Sequence, residues 1–166
     1  MNYISKDIRQ VVLELQSKIG KDIIFTGSIE DVAHTGRALN PVRDIDVLLT
    51  REQLDKAIDH YDLVNGGPSW YNWFLETEDK IRYLTDIGDI EVEFFIYVES
   101  DREDKVYSYS AEGLTIYTRG IDFKIKAVNT MLKKAESIDL EWFLDKFRQI
   151  KKIYDNANTT YLDFSG

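Results

Sequence analysis

Apolar residues near the N-terminus recur every three or four positions, with charged residues between them. The apolar positions are Ile4, Ile8, Val11, Val12, Leu15 and Ile19. This spacing lines one face of a helix with apolar side chains and leaves the opposite face polar. It predicts an amphipathic helix over residues 3 to 19, which Gly20 ends.

Two short apolar runs follow this helix, and both indicate buried strands. The first is a β-branched run at residues 22 to 26, and the second covers residues 44 to 50. Runs of this length with β-branched residues are typical of strands. Thr50 ends the second run and is an expected N-cap for a helix over residues 51 to 60.

The segment between the two strands is polar. Ser28 stands where it would cap a short helix through residues 31 to 33. Residues 34 to 42 contain Gly, Asn and Pro and predict a loop. His34 lies in this segment, and we expect it to be an ordinary surface histidine.

The middle of the chain alternates turn signals with apolar runs. Residues 65 to 69, NGGPS, predict a turn, and the aromatic stretch at 70 to 74 is a candidate strand. The runs at 81 to 86 and 90 to 98 flank a short Ile-Gly-Asp segment. Two strands so close together indicate a β-hairpin.

The last third of the chain changes from strand to helical periodicity. Residues 114 to 118 are a further candidate strand, and the helical pattern begins near Ile121. We expect two helices here, the second capped by Ser137 or Asp139.

This order of elements predicts the fold class. Helices and strands alternate along the chain, so we expect an α/β (α+β) fold with a small mixed sheet flanked by helices and a C-terminal helical pair. We expect residues 1 to 166 to form a single domain. Its core would cover about residues 3 to 120, and the C-terminal helices about residues 121 to 157.

Composition excludes several classes of protein. The 166 residues contain no cysteine, so disulfides and thiolate metal sites are excluded. No apolar run is long enough to span a bilayer and no signal peptide is recognisable, so we expect no membrane contact and a cytoplasmic location. The net charge of −9 argues against long nucleic acid as a partner.

Two aspartates open the second strand, and their spacing suggests metal chemistry. Alternate residues of a strand point the same way, so Asp44 and Asp46 project together. Carboxylates this close repel each other, and a hard divalent cation such as Mg²⁺ removes that conflict. For an isolated pair the simpler interpretation is that Asp44 begins the strand and Asp46 faces water.

A second acidic pair lies in the later strand. Glu91 and Glu93 are also two residues apart, in an otherwise very apolar run. Either one could complete a three-acid site if this strand lies beside the aspartate strand. The alternative is a solvated face of an edge strand, although Phe95 would share that face.

The Gly27-Ser28 pair supplies a third component. A strand that ends in Gly-Ser and opens into a helix exposes backbone N–H groups and a hydroxyl, which suits phosphate oxygens. Taken alone the dipeptide is common. Together with the acidic pairs, it makes a more specific pattern.

The combined pattern resembles the nucleotidyltransferase fold of the DNA polymerase β superfamily. The matching residues are Thr26-Gly27-Ser28, then Val42 to Leu49 with Asp44 and Asp46, then Val92-Glu93-Phe94. More narrowly, the chain is similar to the small minimal and abortive-infection-type nucleotidyltransferases. The resemblance implies transfer of a nucleoside monophosphate (NMP) from a nucleoside triphosphate (NTP) to a hydroxyl acceptor on a protein, a tRNA or a small molecule.

The resemblance also implies which acids bind metal. Asp44 and Asp46 would bind Mg²⁺ or Mn²⁺. Glu93 would be the third acid, which helps bind the metal and deprotonate the attacking hydroxyl. Glu91 is the alternative for this role, because it points the same way.

The same resemblance assigns the nucleotide. Gly27 and Ser28 would hold its phosphates, and a lysine at the start of the first C-terminal helix would approach them. We expect this lysine to be Lys126 before Lys124.

Two questions stay open at the level of sequence. A non-catalytic binding module of the same fold, such as an antitoxin or a defence-system partner, would carry the same motifs. The aromatic cluster of Trp70, Tyr71, Trp73 and Phe74 would either stack a base or belong to the core. The oligomeric state is left undetermined.

Overall fold

A computed structural model of the chain describes residues 2–76, 78–99 and 104–165. The helices are α1 (Lys6–Lys18), α2 (Gly27–Thr35), α3 (Arg51–His60), α4 (Ile121–Ile138) and α5 (Glu141–Ser165). The strands are β1 (Ile24–Thr26), β2 (Ile45–Leu48), β3 (Val64–Pro68), β4 (Lys80–Ile87), β5 (Ile90–Tyr97), β6 (Tyr107–Ala111) and β7 (Leu114–Thr118). A 3₁₀ helix covers Trp70–Trp73.

The strands form one mixed sheet in the order β3-β4-β5-β2-β1-β7-β6. β2 pairs with β5 and β1 pairs with β7 in parallel, whereas the other neighbours are antiparallel. The short β1 and β2 therefore lie at the centre of the sheet. This confirms the predicted α/β class and the C-terminal helical pair.

Two apolar cores hold the helices. The first lies against the sheet and includes Val12, Leu15, Phe25, Val47 and Phe94, all of them buried. The second joins α4, α5 and the 3₁₀ region and consists of the following buried residues: Phe74, Ala127, Val128, Met131, Leu132, Ala135, Phe143, Leu144, Phe147, Ile150 and Tyr154. No helix in the described part of the chain is long and apolar enough to cross a membrane.

Several elements follow the sequence pattern closely. The side chain of Thr50 caps α3, and Gln53 completes a capping box, because its side chain accepts the N–H of Thr50. β4 and β5 form the predicted hairpin, in which Ile87 pairs with Ile90 across a two-residue loop.

The polar segment after β1 folds differently from the prediction. The N-cap of α2 is Thr26, Ser28 lies within the first turn, and the helix extends to Thr35. Gly36 ends it in the left-handed region, with φ of 76°. A glycine adopts this conformation without a steric penalty, which makes it a common end of a helix. The helix therefore includes His34 and Thr35, the first two residues of the predicted loop.

Other boundaries were also wrong. Residues at the NGGPS turn belong to edge strand β3, where Pro68 is tolerated because an edge strand does not need every N–H. The aromatic stretch forms the 3₁₀ helix instead of a strand. Ser137 lies inside α4 and Asp139 is its C-cap, so neither caps α5. β6 was not predicted.

A buried polar network joins α2 to α5. The Tyr154 hydroxyl donates to Asp31 Oδ1 at 2.7 Å, and the oxygen of this hydroxyl lies 2.9 Å from His34 Nδ1. His34 Nε2 lies 2.6 Å from the Thr118 hydroxyl, which also accepts the N–H of Gly120. Since the Tyr154 hydrogen is used on Asp31, Nδ1 of His34 is the donor and Nε2 the acceptor.

His34 is therefore a buried structural residue, not the surface histidine expected from its polar surroundings. Only 1% of its surface is exposed. Burial, followed by the charge of Lys124, lowers the pKa of His34 to about 4. The imidazole is neutral at physiological pH, as the hydrogen-bond pattern requires.

The Tyr154→Phe substitution tests the network. It keeps the ring but leaves Asp31 and His34 without the hydroxyl, and buried polar atoms without a partner are costly. We expect the free energy of unfolding to fall by about 1–3 kcal/mol, measured by urea denaturation. The control is Tyr107→Phe, in a ring that is 48% exposed, with an expected change within about 0.5 kcal/mol. Equal effects of the two substitutions would contradict this account.

Candidate active site

The central strand β2 brings the two predicted acidic segments together. Asp46 pairs with Thr26 of β1 on one side and with Glu93 of β5 on the other. Directly paired residues project to the same face of a sheet. Asp44 immediately precedes β2 and lines the same cavity as Asp46 and Glu93. The structure thus places all three predicted acids along one cavity.

The two candidates for the third acid differ in position. Glu93 lines the cavity, whereas Glu91 is exposed, pairs with Asp86 near the hairpin loop and does not line the cavity. The Glu93 carboxylate lies 3.4 Å from Nη1 of Arg82. The pKa of Glu93 is raised by burial, against the opposing effect of Arg82.

Gly27 lies directly against the Asp46 carboxylate. Its φ is +71°, and a Cβ built at this position would lie 2.3 Å from Asp46 Oδ2. A side chain would therefore be strained in the backbone and would also displace the carboxylate. The absence of a side chain at residue 27 is what allows the acid and the start of α2 to be this close.

The N-terminus of α2 is open to a ligand. The first N–H groups of a helix have no partner within the helix, and the N-cap Thr26 makes no side-chain hydrogen bond to them. Gly27 and Ser28 both line the cavity. The positive end of the helix dipole adds to the attraction for an anion.

Nearby positive charges compensate the negative charges of Asp44 and Asp46 only weakly. Burial, followed by the charges of Asp44 and Glu93, raises the pKa of Asp46 to about 8, although Lys124 and Lys146 act in the opposite direction. Within the described residues, the side chains of Asp44 and Asp46 make no hydrogen bond and no ion pair. Such a site favours a bound proton or a bound cation.

The acids do not form a closed metal cage. In residues 2–76, 78–99 and 104–165, no group of three or more His, Cys, Asp or Glu side chains is arranged to hold a metal ion by itself. The donors present are all carboxylate oxygens, which hard divalent cations prefer. Mg²⁺ in particular usually keeps waters or substrate phosphates among its ligands. The side chains of Asp44, Asp46 and Glu93 therefore fit an open site that a substrate would complete.

The cavity has a volume of about 450 Å³, which is within the range of small-molecule sites. One wall carries the acids and the Gly27-Ser28 turn. The opposite wall is apolar and comes from α4 and α5, through Ala127, Met131, Phe147 and Ile150.

The predicted phosphate-binding lysine is not where the sequence placed it. Lys126 does not line this cavity and borders two other surface pockets. Lys124 lines the cavity instead, because residues two apart on a helix point about 200° apart. Its Nζ lies 3.0 Å from Glu30 and 3.3 Å from Asp31. Burial would lower the pKa of Lys124, but the charges of Asp31 and Glu30 raise it.

Three further cavity residues were missed or left open at the level of sequence. Lys146 on α5 lines the cavity, and its charge reaches Asp46. No local motif marks this lysine, which is a hundred positions from Asp46. The aromatic cluster is divided: Trp70 and Tyr71 line the cavity, whereas Phe74 belongs to the second core.

The raised pKa of Asp46 predicts a pH-dependent stability. Because the native state holds this proton more tightly than the unfolded chain, the stabilisation is present at acidic pH and is lost as the pH rises through about 8. Asp46→Asn keeps the neutral shape at every pH. Between about pH 5 and pH 8, without divalent ions, we expect the wild type to lose about 3–4 kcal/mol more unfolding free energy than the variant, at roughly 1.36 kcal/mol per pH unit. Parallel urea-denaturation profiles would contradict this expectation.

Comparisons with known proteins agree with the fold. No protein-family model and no curated protein matches the chain. Among solved structures, it is similar to the crystal structure of ANT(2")-Ia in complex with adenylyl-2"-tobramycin. The TM-score is 0.50 at 10% sequence identity, over 95% of this chain and 99% of that chain. That neighbour is a nucleotidyltransferase. This structural similarity shows that the chain has a nucleotidyltransferase-like fold. The narrower resemblance to minimal and abortive-infection-type members stays a prediction.

Proposed function

We propose that the chain is a metal-dependent nucleotidyltransferase that transfers an NMP from an NTP to a hydroxyl acceptor. The observation that carries the proposal is the contact between Gly27 and the Asp46 carboxylate. It places an open helix N-terminus, suited to phosphate, next to uncompensated acids that are suited to a divalent cation. A metal-bound nucleotide carries the two complementary charges, since its phosphates suit the helix N-terminus and its divalent cation suits the acids.

The phosphates would bind at the start of α2. Backbone N–H groups of Gly27 and Ser28 and the Ser28 hydroxyl are the donors in that turn. Lys124 on α4 and Lys146 on α5 also line the cavity and would supply positive charge. Lys124 is shared with Glu30 and Asp31, so it would act as a fixed, partly neutralised charge.

Asp44, Asp46 and Glu93 would hold Mg²⁺ or Mn²⁺. When bound, such an ion neutralises the carboxylates, polarises the α-phosphate and compensates the charge of the departing pyrophosphate. The raised pKa of Asp46 fits this role, because a cation would take the place of the proton that the isolated site retains.

The protein's own groups would orient the reaction. An acceptor oxygen forms a bond to the α-phosphorus while the bond from that phosphorus to the bridging oxygen of the pyrophosphate breaks. Glu93, which lines the cavity, would accept the hydroxyl proton. Arg82 restrains its carboxylate from the neighbouring strand. Positioning and charge compensation are the main demands of this chemistry.

The neighbour's bound adenylyl-2"-tobramycin suggests a small hydroxylated molecule as the acceptor class. In this chain the acceptor would enter opposite the Gly27-Ser28 turn, past the exposed edge of Trp70. A hydroxyl on a protein or on tRNA stays the alternative acceptor.

Substituting the two glutamates of β5 tests the site directly. Glu93→Gln should lower NMP transfer about a hundredfold or more, because it removes both a metal ligand and the proton acceptor. Glu91→Gln, an exposed position on the same strand, should change it less than about twofold. The assay follows label from each α-labelled NTP with Mg²⁺ or Mn²⁺ and cell extract.

The outcomes distinguish enzyme from binding module. A wild type that transfers no label and binds no Mg·NTP, with Asp44→Ala indistinguishable from it in partner pull-downs, would favour the non-catalytic module. Equal activity of the Glu93→Gln and Glu91→Gln variants would exclude Glu93 as the third acid.

A pair of glycine substitutions tests the contact that carries the proposal. Gly27→Ala and Gly36→Ala both place a side chain at positive φ, at +71° and +76°, at the two ends of α2. Only the first meets Asp46, because the Cβ at residue 36 has no atom within 4 Å. We expect both variants to lose about 1 kcal/mol of stability.

Nucleotide binding should separate the two variants. Gly27→Ala should weaken Mg·NTP binding at least tenfold (about 1.4 kcal/mol or more), whereas Gly36→Ala should keep the wild-type affinity by calorimetry. If Gly36→Ala loses as much affinity as Gly27→Ala, backbone strain and not the Asp46 contact is responsible.

A further inference from the structure

The hydroxyl of Tyr71 lies at the acidic end of the cavity without a protein partner. We infer that this hydroxyl donates a hydrogen bond to a phosphate oxygen of the bound nucleotide, which makes Tyr71 a phosphate-binding residue. The inference rests on the proposed function and adds to it a second contact, from the 3₁₀ helix that contains Tyr71.

The ring of Tyr71 is held firmly. It stacks on Trp70 with ring centroids 4.2 Å apart. Its backbone N–H donates to Ser69 Oγ at 3.3 Å, and its carbonyl accepts the N–H groups of Phe74 and Leu75, both at 2.9 Å. A ring fixed in this way presents its hydroxyl at a defined point of the cavity.

Four other partly or fully buried tyrosines use their hydroxyls in hydrogen bonds within the protein. Tyr154 donates to Asp31, Tyr61 to Glu14 and Tyr97 to Asp104, while Tyr109 accepts the N–H of Ile121. Within the described residues, the Tyr71 hydroxyl has no such partner. The Tyr71 ring is only partly buried, and its hydroxyl is not among the buried polar atoms that lack a partner, so the hydroxyl is open to the cavity and can donate to a ligand there.

The charges around Tyr71 identify the ligand group. Asp46, Lys124, Glu93 and Asp44 line the same cavity as Tyr71, and all four act on its phenol electrostatically. Burial and these carboxylates raise the pKa of Tyr71 to about 12, so the group keeps its hydrogen and is a donor. A phosphate oxygen bound in this cavity beside Lys124 would accept such a hydrogen.

Tyr71→Phe removes this donor and keeps the stacked ring. The probe is inorganic tripolyphosphate with Mg²⁺, which carries the phosphates without a base, and the comparison ligand is adenosine, which carries the base without phosphates. We expect Tyr71→Phe to weaken Mg·tripolyphosphate and Mg·NTP binding about tenfold or more by calorimetry, as for hydrogen bonds to charged groups. Adenosine binding should be unchanged.

Tyr83→Phe is the matched control. Tyr83 is also partly buried, but it pairs with Phe94 and packs against the first core, on the other face of the sheet. Its substitution should change phosphate affinity less than twofold. Near-ultraviolet circular dichroism of each variant checks the fold. In wild type, ¹³Cζ-tyrosine NMR should show the Tyr71 resonance move when tripolyphosphate is added.

The possible results separate the two proposals. Wild-type affinity of Tyr71→Phe for tripolyphosphate, or a stationary Tyr71 resonance in a wild type that binds it, overturns the inference alone. A wild type that binds neither tripolyphosphate nor any NTP overturns the proposed function and the inference with it. Equal loss of adenosine and tripolyphosphate affinity shows a structural role and also overturns the inference.

Discussion

The contact of the Asp46 carboxylate with Gly27 is the constraint on which the site depends. It requires a residue without a side chain, in a left-handed conformation, at the point where β1 becomes α2. It also requires β2 to lie between β1 and β5, so that Asp46 is in register with Thr26 and Glu93. The sheet order therefore decides which charges meet, and the glycine decides how closely they do so.

The C-terminal helices complete this arrangement electrostatically. The acids of β2 and β5 bring like charges together, and the cations that moderate them, Lys124 and Lys146, come from α4 and α5. Lys124 is in turn held by Asp31, which Tyr154 of α5 contacts. Helix packing and the charge of the cavity are thus coupled, since the same buried polar groups serve both.

Local sequence patterns were sufficient for elements whose signals are local. The Thr50 cap of α3, the β4-β5 hairpin and the acids at the head of β2 follow from residues close in the chain. The choice between Glu93 and Glu91 depended on strand register, which the alternation of side chains alone does not contain. Lys126 was preferred to Lys124 because the phase of α4 relative to the sheet is a tertiary property. The Gly and Pro residues of edge strand β3 predict a turn, because the local sequence does not identify β4 as its partner strand.

The network between α2 and α5 links parts of the chain that are far apart in sequence, with Asp31 and Tyr154 separated by 123 positions. During synthesis, the acids of β2 leave the ribosome long before the tyrosine that anchors the last helix against them. The cavity therefore acquires its apolar wall and its balancing cations only when nearly all of these residues have been made. A nascent chain therefore exposes the acids of β2 and β5 before Lys124 and Lys146 can moderate their charge.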